Sequence, residues 1–180
     1  MRIISGKFKG RRLSSFSASH IRPTTDRVKE SLFNIIAADL PEAKVLDLFS
    51  GTGNLGIEAL SRGAEQVTFV EIHKKSLTII RENLKLFEIT GQVTILGMDV
   101  FAFLKDYSGE PFEVILIDPP FTKAIGHDVM LALCESKAIK IDTVVALETA
   151  KKERIETKYG NLIGQTQRNY GDKVLSVFRS

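Results

Sequence analysis

The chain has 180 residues, 43% of them hydrophobic and 26% charged, which is typical of one soluble globular domain. No apolar run is long enough to span a bilayer, and no signal-peptide core follows the N-terminus. The single cysteine, Cys134, excludes an internal disulfide, and its apolar neighbours predict a buried thiol. These features predict a cytoplasmic protein, which we expect to be a monomer.

The net charge of +3 is unevenly distributed along the chain. Residues 1–30 hold eight lysines and arginines and two acids, whereas the other 150 residues hold 17 basic and 20 acidic side chains. A basic segment on a near-neutral body indicates a polyanionic partner, and a solvated tail without a partner is the alternative. If the partner is a nucleic acid, the candidates for phosphate contacts are Arg2, Lys7, Lys9, Arg11, Arg12 and Arg22.

The first residues have the pattern of an arm attached to a main domain. Residues 1–20 alternate between polar and apolar side chains, with Gly6 and Gly10 where a hairpin could turn. We therefore expect a basic N-terminal hairpin, followed by one domain over residues 21–180. Turn-forming and N-capping residues then precede apolar side chains at helical spacing, which predict an amphipathic helix over 26–38.

From residue 43 onward the pattern alternates between short β-branched runs and helical stretches. The runs predict buried parallel strands over 44–49, 66–71, 92–96, 112–117 and 143–148. The intervening stretches predict helices over 54–62, 74–87, 100–105 and 124–136, and the chain ends in a predicted antiparallel strand pair, 161–168 and 173–179. The expected fold class is α/β: a Rossmann-like, mostly parallel sheet of seven strands with helices on both faces and a C-terminal hairpin, binding ligands at the carboxyl ends of its strands.

A glycine-rich loop follows the first predicted strand. Gly51, Gly53 and Gly56 match the pattern G-x-G-x-x-G, whose small residues let the backbone turn tightly and approach a ligand at a helix N-terminus. The free N–H groups there suit either a pyrophosphate or a methionine carboxylate. Because chains that bind NAD and FAD share the pattern, it predicts a nucleoside site without specifying the nucleoside.

Three acids at strand ends favour S-adenosylmethionine over a dinucleotide. Asp47, before the glycines, would accept hydrogen bonds from an ammonium group or water but would repel pyrophosphate. Glu71, at the end of the second strand, is placed to accept from both ribose hydroxyls, as acids about 20 residues past the loop do in nucleotide folds. Asp99, after the third strand, is a candidate acceptor for the adenine amino group, and a helix N-cap is the alternative interpretation.

The tetrapeptide Asp118-Pro119-Pro120-Phe121 ends the fourth predicted strand. Its two prolines remove two N–H donors, which leaves a rim of carbonyl and carboxylate acceptors suited to an amino group with two N–H donors. Asp118 and the Pro119 carbonyl would hold the amino nitrogen in line with an activated methyl group, and Phe121 would stack on the base. A rigid turn with a core phenylalanine is the alternative. The pattern predicts methylation of an exocyclic amino group on an unpaired or flipped-out base.

With these motifs in place, the chain resembles class I S-adenosylmethionine methyltransferases, and over nearly its whole length the RsmD family. The resemblance is carried by the opening Arg2-Ile3-Ile4-Ser5-Gly6, the segment Arg22-Pro23-Thr24 through Ile35, residues 57–64 and the late Tyr170-Gly171-Asp172. It implies methylation of guanine N2 in 16S rRNA, S-adenosylmethionine as the cofactor, the assembling small ribosomal subunit as the substrate, and no metal. It also implies that Arg22, Pro23 and Thr24 border the cofactor cleft.

The sites predicted in this way fall into two sets. The expected catalytic residues are Asp118, Pro119, Pro120 and Phe121. The expected cofactor contacts are Thr24, Asp47, Ser50, Gly51, Thr52, Gly53, Asn54, Glu71, Ile72, Asp99 and Val100. The chain departs from the family pattern at residues 138–142, which lack a glycine pair, and at Thr149, where histidine is frequent.

Three other functions fit parts of the same pattern. An N6-adenine DNA methyltransferase would share the tetrapeptide, but no segment is long enough for the usual target-recognition region. A non-catalytic RNA-binding assembly factor could retain the fold. An NAD-dependent oxidoreductase explains the glycines and Glu71 but gives residues 118–121 no role.

Overall fold

The computed structural model describes residues 1–14, 26–121 and 123–180. Over these residues the chain forms five α-helices and a short 3₁₀ helix at Ala37–Asp39. The α-helices are α1 (Asp26–Ile35), α2 (Asn54–Ser61), α3 (Lys74–Leu86), α4 (Val100–Asp106) and α5 (Gly126–Glu135). The strands are β1 (Lys44–Leu48), β2 (Gln66–Val70), β3 (Val93–Leu96), β4 (Val114–Ile117), β5 (Val144–Ala150), β6 (Lys158–Tyr159), β7 (Leu162–Tyr170) and β8 (Lys173–Arg179).

All the described strands belong to a single sheet in the order β3-β2-β1-β4-β5-β8-β7-β6. The first five in this order are parallel, whereas β8 runs antiparallel to both of its neighbours. The chain order reverses between β1 and β4, so the loops that follow these strands leave toward opposite faces and open a crevice at their carboxyl ends. The predicted α/β fold with a mostly parallel sheet and a C-terminal hairpin is confirmed.

Two apolar layers cover the faces of the sheet. On one face, Phe33 of α1, Ile57 of α2 and Ile80 of α3 are fully buried against the strands. On the other face, the side chains of α4 and α5 pack in a second cluster that includes Phe103 and Leu133. Because successive side chains of a buried strand point to opposite faces, each parallel strand contributes to both layers, which explains its continuous apolar sequence.

The sheet has eight strands within the described residues, one more than the predicted seven. The additional strand, β6, has only two residues, which is too short to produce a period-two sequence signal. Its Tyr159 is buried and packs against Phe178 with ring centroids 5.8 Å apart. β7 also extends two residues beyond the predicted end, because the turn to β8 needs only Gly171, at φ 65°, and Asp172.

The described part of the N-terminal arm, residues 1–14, packs directly on the main body. A single antiparallel bridge joins Arg2 to Arg12, and the side chains of Ile3, Phe8 and Leu13 are buried in the same core as α2 and α3. At Gly6, with φ 80°, a Cβ would lie 1.7 Å from the carbonyl oxygen of Ser61, so only glycine allows the arm to approach α2 this closely.

Candidate active site

A cavity of about 650 Å³ opens at the carboxyl ends of β1, β2, β4 and β5. This volume is within the range of pockets that bind small molecules and cofactors. Its wall contains most of the residues predicted from sequence to bind a cofactor or react: Asp47, Ser50, Gly51, Thr52, Asn54, Glu71, Ile72, Asp99, Val100, Asp118, Pro119, Pro120 and Phe121. The predicted contact Thr24 lies outside the described residues, as do Arg22 and Pro23.

The glycine loop connects β1 to α2 in a compact turn. Gly51 and Gly53 have φ values of 56° and 78°, and the Gly53 N–H donates to the Ser50 carbonyl at 2.7 Å. The Ser50 hydroxyl donates back to the carbonyl of Asp47 at 2.6 Å. A Cβ on Gly53 would face the core side chains Ile57, Ile80 and Phe69, each 3.4 Å away. Gly53 therefore lies on the core side of the loop and allows its tight turn, while its neighbours Thr52 and Asn54 line the cavity.

The third glycine of the motif sets the distance between α2 and the sheet. A Cβ on Gly56 would lie 2.3 Å from Cε1 of the buried Phe69 and 2.8 Å from Cγ1 of Val67. The Gly56 N–H donates to Oδ2 of Asp47 at 2.9 Å. The glycine thus brings the first turn of α2 close enough to fix the carboxyl group at the end of β1.

Asp47 is a buried acid in the floor of the cavity, with only 1% of its surface exposed. Burial is the main cause that raises the pKa of this carboxyl from 3.8 to about 8; the hydrogen bond from the Gly56 N–H opposes the shift, and the nearby charges of Asp118 and Glu71 contribute to it. Asp47 is therefore mostly protonated at neutral pH in the ligand-free protein. A cationic group entering the cavity would favour its ionised form.

Glu71 connects the loops that follow β1 and β2. Its Oε2 accepts from the Gly51 N–H at 2.8 Å, and its Oε1 accepts from the His73 N–H at 2.8 Å. These bonds hold the carboxylate at the end of β2, where it is 94% shielded from solvent. A carboxylate has further lone pairs after accepting two bonds, so Glu71 retains capacity for hydroxyl donors of a ligand.

Asp99 has the N-capping role that was the alternative interpretation of the sequence. Its Oδ1 accepts from the N–H groups of Phe101 and Ala102 at 2.9 and 3.1 Å, at the start of α4. The residue is exposed and also lines the cavity. Capping uses one carboxylate oxygen, so the predicted contact with an adenine amino group stays a prediction that is compatible with the cap.

The tetrapeptide after β4 lines the same cavity as the glycine loop. Asp118 is partly buried, Pro119 is buried, and Phe121 at the rim is 36% exposed. The Pro120 carbonyl accepts from the N–H of Lys123 at 3.0 Å, which closes a turn at the end of the segment. The segment faces the cavity, and its phenylalanine lies at the rim rather than in the core.

A buried ion pair in the cavity wall was missed by the sequence reasoning. Glu148 and Lys173 are 3% and 5% exposed, and the Lys173 ammonium group bonds to Oε1 of Glu148. The pair joins β5 to β8, where Ala150 lies in register with Lys173. The sequence did contain a signal for this pair, since Glu148 and Lys173 are charged residues at the ends of two predicted apolar strands. Thr149, noted for its departure from the family pattern, and Met1 also line the cavity.

The predicted phosphate contacts of the arm lie outside this cavity. Lys7, Lys9 and Arg12 are exposed. Arg2 forms an ion pair with Asp26 at 2.8 Å. Arg11 stacks on the ring of Phe87 at 4.5 Å and donates to the carbonyl of Leu86 at 2.5 Å, which makes it an anchor for the arm as well as an exposed cation.

Comparison with known proteins identifies the family. A family model described as conserved hypothetical protein 95 matches residues 1–179. The ribosomal RNA small subunit methyltransferase D of Haemophilus influenzae is 36% identical over 159 residues, covering 87% of this chain and 82% of the relative. This chain belongs to the ribosomal RNA small subunit methyltransferase D family. The protein of the same name from Escherichia coli strain K12 is 31% identical over 161 residues, covering 89% of this chain and 80% of the relative.

Solved structures agree with this assignment to the methyltransferase D family. The Escherichia coli protein yhhF matches with a TM-score of 0.87 at 27% identity, covering 99% of this chain and 97% of that one. The fold is that of class I methyltransferases, and the resemblance predicted from the sequence motifs is confirmed.

In residues 1–14, 26–121 and 123–180, no group of three or more His, Cys, Asp or Glu side chains could hold a metal ion. No helix in the same part of the chain is long and apolar enough to cross a membrane.

Proposed function

We propose that the protein transfers the methyl group of S-adenosylmethionine to the exocyclic N2 amino group of a guanine in 16S rRNA. The observation that carries the proposal is that Asp118-Pro119-Pro120-Phe121 lines the same cavity as the glycine loop and Glu71. Relatives named ribosomal RNA small subunit methyltransferase D, at 31–36% identity, support the choice of substrate.

The acidic groups of the cavity fit the proposed cofactor. Asp47, Glu71 and Asp118 present three carboxyl groups to one space, which suits a ligand with an ammonium group and two ribose hydroxyls. An NAD-dependent oxidoreductase would use the glycines and Glu71 but would give Asp118 and the residues after it no role, so the full set of cavity residues argues against NAD. Glu71 would hold the ribose, the loop from Ser50 to Asn54 the methionine part, and Ile72, Asp99 and Val100 the adenine.

The residues of the tetrapeptide would act on the target base. When bound, S-adenosylmethionine supplies a methyl group that its sulfonium charge already activates. Asp118 and the Pro119 carbonyl would each accept one N–H bond from the target amino group and so fix the direction of its lone pair. Phe121, exposed at the rim, would stack on the base, an interaction that contributes about 1–3 kcal/mol.

The RNA would approach from the side of the exposed arm. An amino group inside a helix is inaccessible to this cavity, so the target base must be unpaired or flipped out. The exposed cations Lys7, Lys9 and Arg12 would bind phosphates near the target.

The direct test is a transfer assay with labelled S-adenosylmethionine and unmethylated 16S rRNA or small subunits, followed by nucleoside mass spectrometry. The proposal expects N2-methylguanine as the product. Asp106→Ala, an exposed acid in the last turn of α4, serves as a control that should retain activity. N6-methyladenine formed in DNA would instead identify an adenine methyltransferase, and ribosome binding without transfer an assembly factor.

A further inference from the structure

Two buried polar side chains each bond to both the N-terminal arm and the glycine loop. The first is Asn83 of α3, which is fully buried. Its Oδ1 accepts from the Ser14 N–H at 2.7 Å, and its Nδ2 donates to the carbonyls of Ser14 at 3.1 Å and Thr52 at 2.9 Å. One amide group therefore joins the end of the arm to the middle of the loop.

The second of these two connecting side chains, called connectors below, is Lys29 of α1, which is 1% exposed. Its ammonium group donates to the carbonyl of Arg2 at 2.5 Å and to Oδ1 of Asn54 at 2.8 Å. It also lies 3.1 Å from Oε2 of the buried Glu58. A single buried cation therefore joins the beginning of the arm to the first residue of α2.

Glu58 extends this connection along the arm. Its two oxygens accept from the N–H groups of Ile4 and Ser5 at 2.8 and 3.0 Å, and also from Nε of Arg62 at 2.8 Å. Burial lowers the pKa of Lys29 despite the opposing charge of Glu58, which reflects how completely this cluster is removed from water. Such a network is stable only while every member keeps its partners.

The loop residues held by these connectors belong to the cavity. Thr52 and Asn54 lie on either side of Gly53, and both line the pocket. Met1 of the arm lines it as well, with its sulfur 3.8 Å from the hydroxyl of Thr52. A displaced arm would leave the Asn83 amide and the Lys29 ammonium without their arm partners, so the loop they hold would lose its fixed position.

We infer that the arm is a positioning element of the glycine loop, and that Lys29 and Asn83 are the positioning residues through which a seated arm increases affinity for the cofactor. The inference rests on the proposed function, because it takes S-adenosylmethionine as the ligand of the loop. Coupling between two sites is reciprocal, so a ligand in the loop also stabilises the seated arm.

The first test measures binding of S-adenosylhomocysteine by calorimetry to the wild type and to Asn83→Leu and Lys29→Met. Both substitutions keep side-chain volume and remove the bonds to arm and loop. The expected affinity is about tenfold lower in each variant, within the usual range of coupling between sites. Thr143→Val is the matched control, because it removes an equally buried hydroxyl bond, to the Phe112 carbonyl, before the start of β5.

The second test measures hydrogen exchange of arm amides that bond within the arm, at Ile3, Gly10 and Leu13. S-adenosylhomocysteine should slow their exchange in the wild type and in Thr143→Val, but not in the two connector variants. A general loss of stability would affect Thr143→Val as well as the two connector variants. The ligand-dependent slowing of exchange therefore reports the coupling between loop and arm, separately from stability.

The outcomes distinguish the inference from the proposed function. A wild type that does not bind S-adenosylhomocysteine would contradict the proposed cofactor. A wild type that binds it, together with folded connector variants of unchanged affinity, would overturn the positioning role alone. An equal loss of affinity in Thr143→Val would overturn that role too, because the loss would then result from reduced stability and not from the bonds between arm and loop.

Discussion

Asp47 and Asp118 lie at the ends of the adjacent parallel strands β1 and β4, in one cavity, and their carboxyl groups interact. The register pairs Leu48 with Ile117, so Asp118 is one residue beyond the last pair. Burial, together with the charges of Asp118 and Glu71, raises the pKa of Asp47 to about 8, and Asp118 has the larger of the two charge effects. The residue proposed to hold the target amino group therefore also affects the proposed cofactor site.

The first prediction concerns Asp118→Ala. Losing one of two acceptors for the amino group should reduce the transfer rate about 100-fold or more, as removal of a single positioned hydrogen-bonding group does in other enzymes. Affinity for S-adenosylhomocysteine, measured by calorimetry, should not fall, because loss of the Asp118 charge lowers the pKa of Asp47 and so favours its ionised form. If affinity falls as far as the rate, Asp118 contacts the cofactor and its proposed role is wrong.

The second prediction follows from the raised pKa of Asp47. Below pH 8 the free carboxyl is protonated, and a bound ammonium group would favour the ionised form, so binding should release a proton. Calorimetry with S-adenosylhomocysteine at pH 7, in two buffers of different ionisation enthalpy, should show release approaching about one proton. Affinity should rise from pH 6 to pH 8.

The control for proton release is Asp47→Asn, which keeps an acceptor oxygen for the Gly56 N–H but cannot ionise. It should release no proton through this position and bind with little dependence on pH. Identical proton release in the variant and the wild type would contradict the assignment.

The third prediction concerns the stability of the ligand-free protein. The pKa of Asp47 is raised in the folded state, from 3.8 to about 8, so the folded state binds more protons between these values. Its contribution to stability is present at low pH and is lost as the pH rises toward 8. The melting temperature of the wild type should fall between pH 5 and pH 8 relative to that of Asp47→Asn. A constant difference between the two proteins would count against the shift.

The fourth prediction concerns the exposed cations of the arm. Changing Lys7, Lys9 and Arg12 to glutamate should weaken RNA binding and reduce its dependence on salt, because fewer counterions are released. Arg11 is excluded, since its stacking on Phe87 would add a loss of stability. Reversal of Lys105, Lys137 and Lys158, which are exposed and distant in sequence from the arm, is the matched control. If both triple variants lose RNA affinity equally, the cations of the arm have no specific role in RNA binding.

The fifth prediction concerns Gly56→Ala. The added methyl group would overlap the ring of Phe69, at 2.3 Å, and overpacking of this kind costs about 1–3 kcal/mol of unfolding free energy. Gly97→Ala is the control, because its nearest neighbour is the flexible end of Leu77 at 3.0 Å. Denaturant titration should show a large decrease in unfolding free energy for Gly56→Ala and a small decrease for Gly97→Ala.

The amino-acid sequence by itself determined the parallel strands, the glycine loop, the acids at strand ends and the tetrapeptide of residues 118–121. These features depend on neighbouring residues: apolar runs, turn-forming glycines and prolines, and an acid directly after a strand. Parallel strands present their carboxyl ends at one edge of the sheet, so the sequence already predicted that Asp47, Glu71 and Asp118 would lie at one edge, and the observed strand order places them in one cavity.

Only the tertiary structure decided how the arm is attached and what surrounds each buried charge. Asn83 meets Ser14 across 69 positions, Lys29 meets Asn54 across 25, and Lys173 meets Glu148 across 25. No local pattern encodes such pairs, because the partners meet only in the folded chain, where their mutual interaction offsets the cost of removing both from water. The raised pKa of Asp47 has the same origin, since it depends on burial and on acids from other strands.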